Sequence, residues 1–101
     1  MKPHDYHPDA RIERRDAIAY LEHERPGYGV IFDALLTRLV REICRNPKMF
    51  PKKRNGARYC CMGLFKYNIW FFEREEDVVI LAVAHTRRKP GYWRYRLSEV
   101  R

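Results

Sequence analysis

One uninterrupted apolar run constrains this chain more than any other part of its sequence. It extends from Val78 to Ala84, is rich in β-branched residues and changes abruptly to His-Thr-Arg-Arg-Lys over 85–89. A run of this kind, without polar alternation, predicts a strand covered on both faces and therefore central in a sheet. We expect this strand to span Val78–Thr86. Residues after such a strand emerge at its carboxyl end, so His85–Arg96 is the first candidate for a functional surface.

Two helices are predicted before this strand. The first is expected over 8–24, where a proline stands in the first turn and the apolar residues fall near one face. The second is expected over 28–45, where apolar residues recur with the helical repeat at Phe32, Leu35, Leu36, Leu39, Val40 and Ile43. Segment 25–29 (Arg-Pro-Gly-Tyr-Gly) interrupts the first helix, and Asn46–Pro47 ends the second. The short connection makes the two helices antiparallel neighbours.

Further strands are expected over 58–64 and 67–74, with 78–86 as the third of the series. Their connections are short, which predicts antiparallel hairpins. Residues 1–6 are a weaker candidate for an edge strand, and 47–57 is predicted to be an irregular basic loop. The strand over 67–72 is so aromatic that we expect the helices to cover most of it. The prediction is one α+β domain over 1–101: an antiparallel helical hairpin packed on a small, mainly antiparallel β-sheet, with a short C-terminal helix or tail.

Charge is the most informative part of the composition. The chain has 21 Lys and Arg against 13 Asp and Glu, a net charge of +8, and neither 45–72 nor 78–98 contains an acid. Such an excess favours a polyanionic partner, either nucleic acid or an acidic protein surface. No segment reaches the roughly 18 apolar residues of a membrane span, and the N-terminus lacks the apolar core of a signal peptide, so we expect a cytoplasmic protein.

The three cysteines do not suggest a metal site. Cys44 is isolated, and Cys60 and Cys61 are adjacent on a predicted strand, where their side chains point to opposite faces. We expect buried or half-buried thiols in a reducing compartment. The prediction is that the protein uses no cofactor and no metal.

Five motifs, in order, resemble the RelE/ParE-type toxins of bacterial type II toxin–antitoxin systems. The helical hairpin opens with Ala10 and Glu13 and turns through EHERPGYG over 22–29. Asn-Pro and Phe-Pro follow over 46–51, the central strand carries YNIWF over 67–71, and an acidic turn occupies 75–77. The most specific match is VVILAVAHTRRKPGYW, from Val78 to Trp93. The resemblance implies a cognate antitoxin, ParD-like, with which the chain forms a hetero-oligomer.

The resemblance implies one of two activities. One branch of the family cleaves messenger RNA on the ribosome without a metal, with cationic groups that hold the scissile phosphate. Two lysine positions of that branch fall at or near Tyr59 and Cys61 here, and an arginine position falls at Asn68. Only Arg87, with Tyr92 or Trp93 at the tyrosine position, retains that catalytic pattern. The other branch resembles ParE, which poisons DNA gyrase by binding it.

The tail pattern of the ParE branch, His-x-Arg-Arg-x-Pro with a following Trp, is present here from His85 to Trp93. Our expectation rests on this pattern. We expect a ParE-like toxin that binds DNA gyrase, more a binding inhibitor than an enzyme, with target-binding residues His85, Arg87, Arg88, Trp93 and Arg94. Lys89 stands where the family often has an acid. The alternative is a ribosome-dependent mRNA endonuclease with substituted catalytic residues, for which Arg87 and Tyr92 are the candidates. A stand-alone nucleic-acid-binding module is a third reading, supported by charge alone.

Several of these residues can also be explained by a purely structural role. A hydrogen bond from neighbouring backbone to the His85 ring is as common as a target contact. Arg87 is favoured over Arg88 as the arginine that shares a groove with His85, because residues two apart on an extended segment share a face. Trp93 is more often a packing anchor than a recognition residue. The basic-aromatic segment 92–96 is equally consistent with a short helix that caps the sheet.

Overall fold

Two long helices precede most of the sheet, as the hydrophobic pattern predicts. The computed structural model describes residues 1–101, with elements in the order β1 (His4–Tyr6), α1 (Pro8–Glu24), α2 (Tyr28–Arg45), β2 (Arg58–Cys61), β3 (Tyr67–Glu73), β4 (Val78–His85) and α3 (Tyr95–Val100). The α+β class and both helix ranges are confirmed. None of the helices has the length and hydropathy needed to cross a bilayer.

The sheet has four strands in the order β1-β4-β3-β2. β4 is an inner strand, as its apolar run predicts, and it pairs antiparallel with β3. The weak N-terminal candidate is a three-residue edge strand, which pairs with β4 in parallel, so the sheet is mixed. The helical layer lies on one face of this sheet, and the C-terminal segment with α3 lies on the other.

The turn of the helical hairpin is held by one glutamate and one glycine. Glu22 accepts hydrogen bonds from the N–H groups of Gly27 at 2.8 Å and Gly29 at 3.0 Å, which satisfies donors at the start of α2. Gly29 is needed because the helices approach closely here. A Cβ at this position would lie 2.6 Å from the carbonyl oxygen of Ile18. Two residues of the EHERPGYG motif therefore have structural roles.

Two separate hydrophobic clusters cover the two faces of the sheet. The helix-side cluster joins Phe32 and Leu36 of α2 to β3 and β4. The opposite cluster joins the β4 residues Leu81, Ala82 and Ala84 to Trp93 and Leu97. The expectation that the helices largely cover the aromatic strand was therefore wrong in part. Tyr67, Ile69 and Phe71 face the helices, but Trp70 and Phe72 pack with the C-terminal segment.

A β-bulge in β4 changes which residues of this strand face each cluster. Phe71 pairs with Ile80 while Trp70 pairs with Ala82, so Leu81 is the additional residue. Ile80 before the bulge and Val83 after it both belong to the helix-side cluster, although they are three residues apart. A continuous apolar run conceals such a change of alternation, since every position is hydrophobic.

Strand ends differ by one to three residues from the predictions. β2 stops at Cys61 rather than Leu64 because Gly63–Phe65 forms a 3₁₀ turn, after which Lys66 adopts a φ of 59°. β3 ends at Glu73 and β4 at His85, each one residue earlier than predicted. The loop 47–57 is irregular, apart from a 3₁₀ turn at its start and a bridge from Lys52 to Arg58.

Candidate functional site

A groove with a volume of about 740 Å³ opens on the sheet face that carries the C-terminal segment. It is lined by the loop 53–55, by Asn68 and Trp70 of β3, and by the segment 84–94 except Arg87. Five of its 15 lining residues are cationic and none is acidic: Lys53, Arg54, Arg88, Lys89 and Arg94. We call this feature the basic groove.

The five cations of the basic groove lack acidic partners. Ten salt bridges occur in the protein, and none of them includes a groove residue. Most of the acids are instead paired with arginines, lysines or a histidine outside the groove. The positive charge in the groove is therefore uncompensated, and it favours an anionic ligand.

The floor of the groove is aromatic and well packed. The ring of Trp70 lies 4.5 Å from that of Trp93 and 4.9 Å from that of Tyr59. Trp93 is only 3% exposed, so it packs beneath the groove and offers little surface to a ligand. Beside Trp70, the half-buried amide of Asn68 makes no side-chain hydrogen bond within the protein. The structure thus gives Trp93 the packing role, and leaves Asn68 available to a ligand.

The predicted target-binding residues are divided between two sides of the sheet. His85 pairs with Tyr67, and its ring packs edge-to-face against the Tyr67 ring at 5.0 Å, on the face that carries the helices. Its Nδ1 accepts a hydrogen bond from the Arg87 N–H at 3.0 Å. This is the backbone hydrogen bond that was expected as the alternative to a target contact. Arg88 and Arg94 line the basic groove, and His85 borders the same groove.

The preference for Arg87 over Arg88 as a groove residue was wrong in its geometry. The segment after the strand is not extended: β4 ends at His85 and a turn begins there, closed by a hydrogen bond from the Arg88 N–H to the His85 carbonyl at 3.0 Å. Arg87 does not line the groove. It is close enough to Tyr20 of α1 that its charge opposes the rise in the pKa of Tyr20 caused by Glu24.

A buried ion pair attaches the C-terminal segment to α1. Arg96 is 4% exposed, and its two terminal nitrogens each donate to a carboxylate oxygen of Glu13 at 2.9 Å. Arg96 also donates to the Leu81 carbonyl at 2.8 Å, and Glu13 accepts from the Val83 N–H at 3.1 Å. Because β1 ends opposite Ile80, these backbone groups lie on the part of β4 that has no neighbouring strand on the β1 side. The ion pair therefore takes the place of a strand along this edge.

Tyr92 is part of the same network. Its hydroxyl donates to Glu13 at 2.7 Å, and its ring lies 3.9 Å from the guanidinium carbon of Arg88. Burial and the hydrogen bond to Glu13 raise the pKa of Tyr92 well above its usual range, against the opposing charges of Arg88 and Arg96. The hydroxyl is therefore protonated and occupied, which is unfavourable for proton transfer.

Further contacts fix the C-terminal helix, and the sequence did not reveal them. His7 uses Nδ1 to accept the Asp9 N–H at the start of α1, and its Nε2 lies 2.6 Å from the Glu99 carboxylate on α3. Tyr95 donates to the Asp9 carboxylate. The pairing of an isolated His with a Glu 92 residues away leaves no local pattern in the sequence.

The three positions that the resemblance aligned with cations of the nuclease branch lie on the groove side of the sheet. Tyr59 stacks with Trp70, Asn68 lines the groove, and Cys61 pairs with Asn68 across the strands. Cys61 is exposed whereas Cys60 is buried, as expected for neighbours on a strand, and all three cysteines are free thiols. These three positions bring no charge to the groove.

The fold and the groove define a small α+β protein with one helical layer and an uncompensated cationic groove on the opposite sheet face. No protein-family model matches the chain, and no curated protein matches it.

Proposed function

We propose that this protein is a ParE-like toxin of the RelE/ParE family, which inhibits growth in the bacterial cytoplasm by binding DNA gyrase. The observation that carries the proposal is the contrast within the basic groove. Its five cations have no acidic partner, whereas the tyrosine that would move protons is held by Glu13. Such a surface is suited to holding an anionic partner more than to acid–base chemistry.

The sequence motifs support the family assignment through the roles they have in the fold. Glu22 and Gly29 of the hairpin motif hold the turn between α1 and α2. Glu13 of the opening motif joins α1 to β4 and to the C-terminal segment. Residues that fix a hairpin, a sheet edge and a C-terminal helix are those that a shared fold requires, so their presence in one order supports a common architecture.

The residues left for catalysis support binding over RNA cleavage. Arg87 lies outside the groove, and the Tyr92 hydroxyl is protonated and hydrogen-bonded. Tyr59, Cys61 and Asn68 bring neither a positive charge nor an efficient proton donor to the positions where the nuclease branch has cations. Holding and neutralising a scissile phosphate would therefore depend on the remaining groove cations alone.

An mRNA endonuclease is the second candidate, and one observation favours it. His85 borders the groove, and its Nε2 makes no hydrogen bond within the protein, so this nitrogen is free to accept or donate a proton. A histidine with a free nitrogen beside the unpaired Arg88 is a feasible acid–base pair for phosphoryl transfer.

Gyrase assays with purified protein separate the two candidates. We expect inhibition of supercoiling and accumulation of cleaved DNA, and we expect Arg88→Ala and Arg94→Ala to weaken both effects. Arg15→Ala is the matched control, because Arg15 is an exposed arginine on α1, away from the groove. Unaffected gyrase, together with new cuts in ribosome-bound message that disappear in His85→Ala, would replace this proposal with the endonuclease.

A ParD-like antitoxin is the proposed partner in the cell. An acidic, partly disordered segment can fold over a basic surface and neutralise it. Apolar side chains remain exposed for such a partner on α2 and on the turn before β3, where Val30 is 71% and Leu64 99% exposed. Co-expression with an adjacent reading frame followed by light scattering should give a single hetero-oligomer, and separate elution of the two proteins would contradict this.

A further inference from the structure

We propose that Glu13, on helix α1, acts as a positioning residue for the basic groove, because it holds Arg88 in place through Tyr92. Glu13 itself has no place in the groove lining. The proposal deepens the proposed function, since it concerns the surface assigned to the target, but its test requires only an anionic probe.

Glu13 has a fixed position. Its carboxylate accepts four hydrogen bonds: two from Arg96, one from the Val83 N–H and one from the Tyr92 hydroxyl. Glu13 lies on α1 and Val83 lies on β4, and both elements belong to the body of the fold. The carboxylate is thus held by the helix and the sheet, and it offers a rigid acceptor to the segment that follows β4.

Tyr92 links the fixed carboxylate of Glu13 to Arg88. Its hydroxyl is bound to Glu13 at 2.7 Å, so the ring has no freedom to turn away. Two arginines lie near the ring, with the guanidinium carbon of Arg88 at 3.9 Å from the ring centroid and that of Arg96 at 5.4 Å. Arg96 belongs to the buried pair, whereas Arg88 is exposed in the groove.

An arginine stacked on an aromatic ring remains able to bind an anion. A guanidinium that lies on an aromatic face directs its N–H donors in its own plane, away from the ring. Arg88 makes no salt bridge or side-chain hydrogen bond, so these donors are free. An arginine already ordered by Tyr92 loses less conformational entropy when a ligand binds than a mobile surface cation does.

Lys89 provides an internal comparison. It lies next to Arg88 in the same loop, carries the same charge and lines the same groove, but it makes no contact with an aromatic ring. Charge alone predicts equal contributions from the two residues. Positioning predicts that Arg88 contributes more, and that this excess depends on Tyr92.

The test is a double-mutant cycle with a fluorescein-labelled oligothymidylate as the anionic probe and fluorescence anisotropy at low salt as the readout. Tyr92→Leu removes the ring and the hydroxyl, and we expect it to weaken binding about three- to tenfold, which corresponds to the cost of ordering one long side chain. In the Arg88→Ala background, Tyr92→Leu should have no further effect. An equal loss in both backgrounds would overturn the proposal, because Tyr92 would then act independently of Arg88.

A second variant separates positioning from general damage to the fold. Tyr92→Phe keeps the ring and removes only the link to Glu13, and we expect a loss of binding of about two- to threefold with a far-ultraviolet spectrum like that of the unmodified protein. We expect the Tyr92 ring current to shift the Arg88 side-chain resonances in the unmodified protein, and these resonances should move towards random-coil positions in Tyr92→Phe. Unchanged resonances and unchanged binding in Tyr92→Phe would refute the role of Glu13.

The outcomes remain separable from those of the proposed function. A protein that leaves gyrase unaffected but shows coupling between Tyr92 and Arg88 would refute the gyrase proposal and retain this one. A protein that inhibits gyrase without such coupling would do the reverse.

Discussion

Replacing Arg96 by alanine removes the centre of the network that joins α1, β4 and α3. The substitution deletes both hydrogen bonds to Glu13, the bond to the Leu81 carbonyl and the bond to the Tyr95 hydroxyl. Glu13 is left with its carboxylate largely buried, since the side chain is only 15% exposed. The Leu81 carbonyl loses the only partner on its side of the strand.

The size of the effect follows from these losses. Removing one partner of a buried ion pair costs about 3–5 kcal/mol, because the other charge remains buried without compensation. An unpaired buried carbonyl alone costs about 1–3 kcal/mol. We therefore expect Arg96→Ala to lower the free energy of unfolding by about 3–5 kcal/mol, a large fraction of the stability of a domain of this size.

A double replacement tests whether the pair also serves the strand edge. Buried ion pairs can often be replaced by apolar residues without loss of stability, because the cost of desolvating the two charges offsets their attraction. Here Glu13 and Arg96 also satisfy the Val83 N–H and the Leu81 carbonyl. The variant Glu13→Leu/Arg96→Met should therefore remain less stable than the unmodified protein by about 2 kcal/mol or more, because both backbone groups become unpaired.

Urea denaturation followed by tryptophan fluorescence measures both variants. Trp70 and Trp93 report on the cluster that the pair supports. Arg94→Ala is the matched control, since Arg94 is exposed and makes no salt bridge, and its effect should stay below about 0.5 kcal/mol. A loss below about 1 kcal/mol in Arg96→Ala, or a double variant as stable as the unmodified protein, would refute the strand-edge argument.

Three other predictions test separate parts of the fold. Gly29→Ala should destabilise the helical hairpin by about 1–3 kcal/mol in chemical denaturation, because the added Cβ would lie 2.6 Å from the Ile18 carbonyl oxygen. Arg74 donates a hydrogen bond to Asp77, and this bond lowers the pKa of Asp77 below the usual 3.8. Asp77 should therefore contribute stability that is complete above pH 3.8 and lost as the pH falls through the lower folded value, and Asp77→Asn should flatten this part of the stability profile. In a thiol titration with Ellman's reagent, exposed Cys61 should react first and Cys60 only on unfolding, since burial raises the pKa of Cys60 to about 11.

The basic groove could be anticipated in part from the sequence. The acid-free segments 45–72 and 78–98 indicate where positive charge accumulates, and the lining of the groove comes from these two segments alone. The sequence did not indicate which arginine faces the groove. Arg87 and Arg88 differ because a turn begins at His85, and the position of a turn depends on the hydrogen bonds of its backbone rather than on the polarity of its residues.

The sequence by itself determined the helices, their short connection and the inner position of β4. These features follow from local periodicity, from proline and glycine breaks and from one long apolar run, each of which acts within a few residues. It also placed the positive charge after β4, because composition needs no geometry.

Only the tertiary structure decided how the residues after the strand are used. The bulge at Leu81 decides which residues of β4 face each of the two clusters. The edge left open beyond β1 is completed by Glu13 and Arg96, which are 83 residues apart. Neither residue has a local pattern that indicates its partner, since a buried charge is tolerated only where another element supplies the opposite one. Tyr92, a candidate for catalysis in the sequence, is thereby held as a support for Arg88.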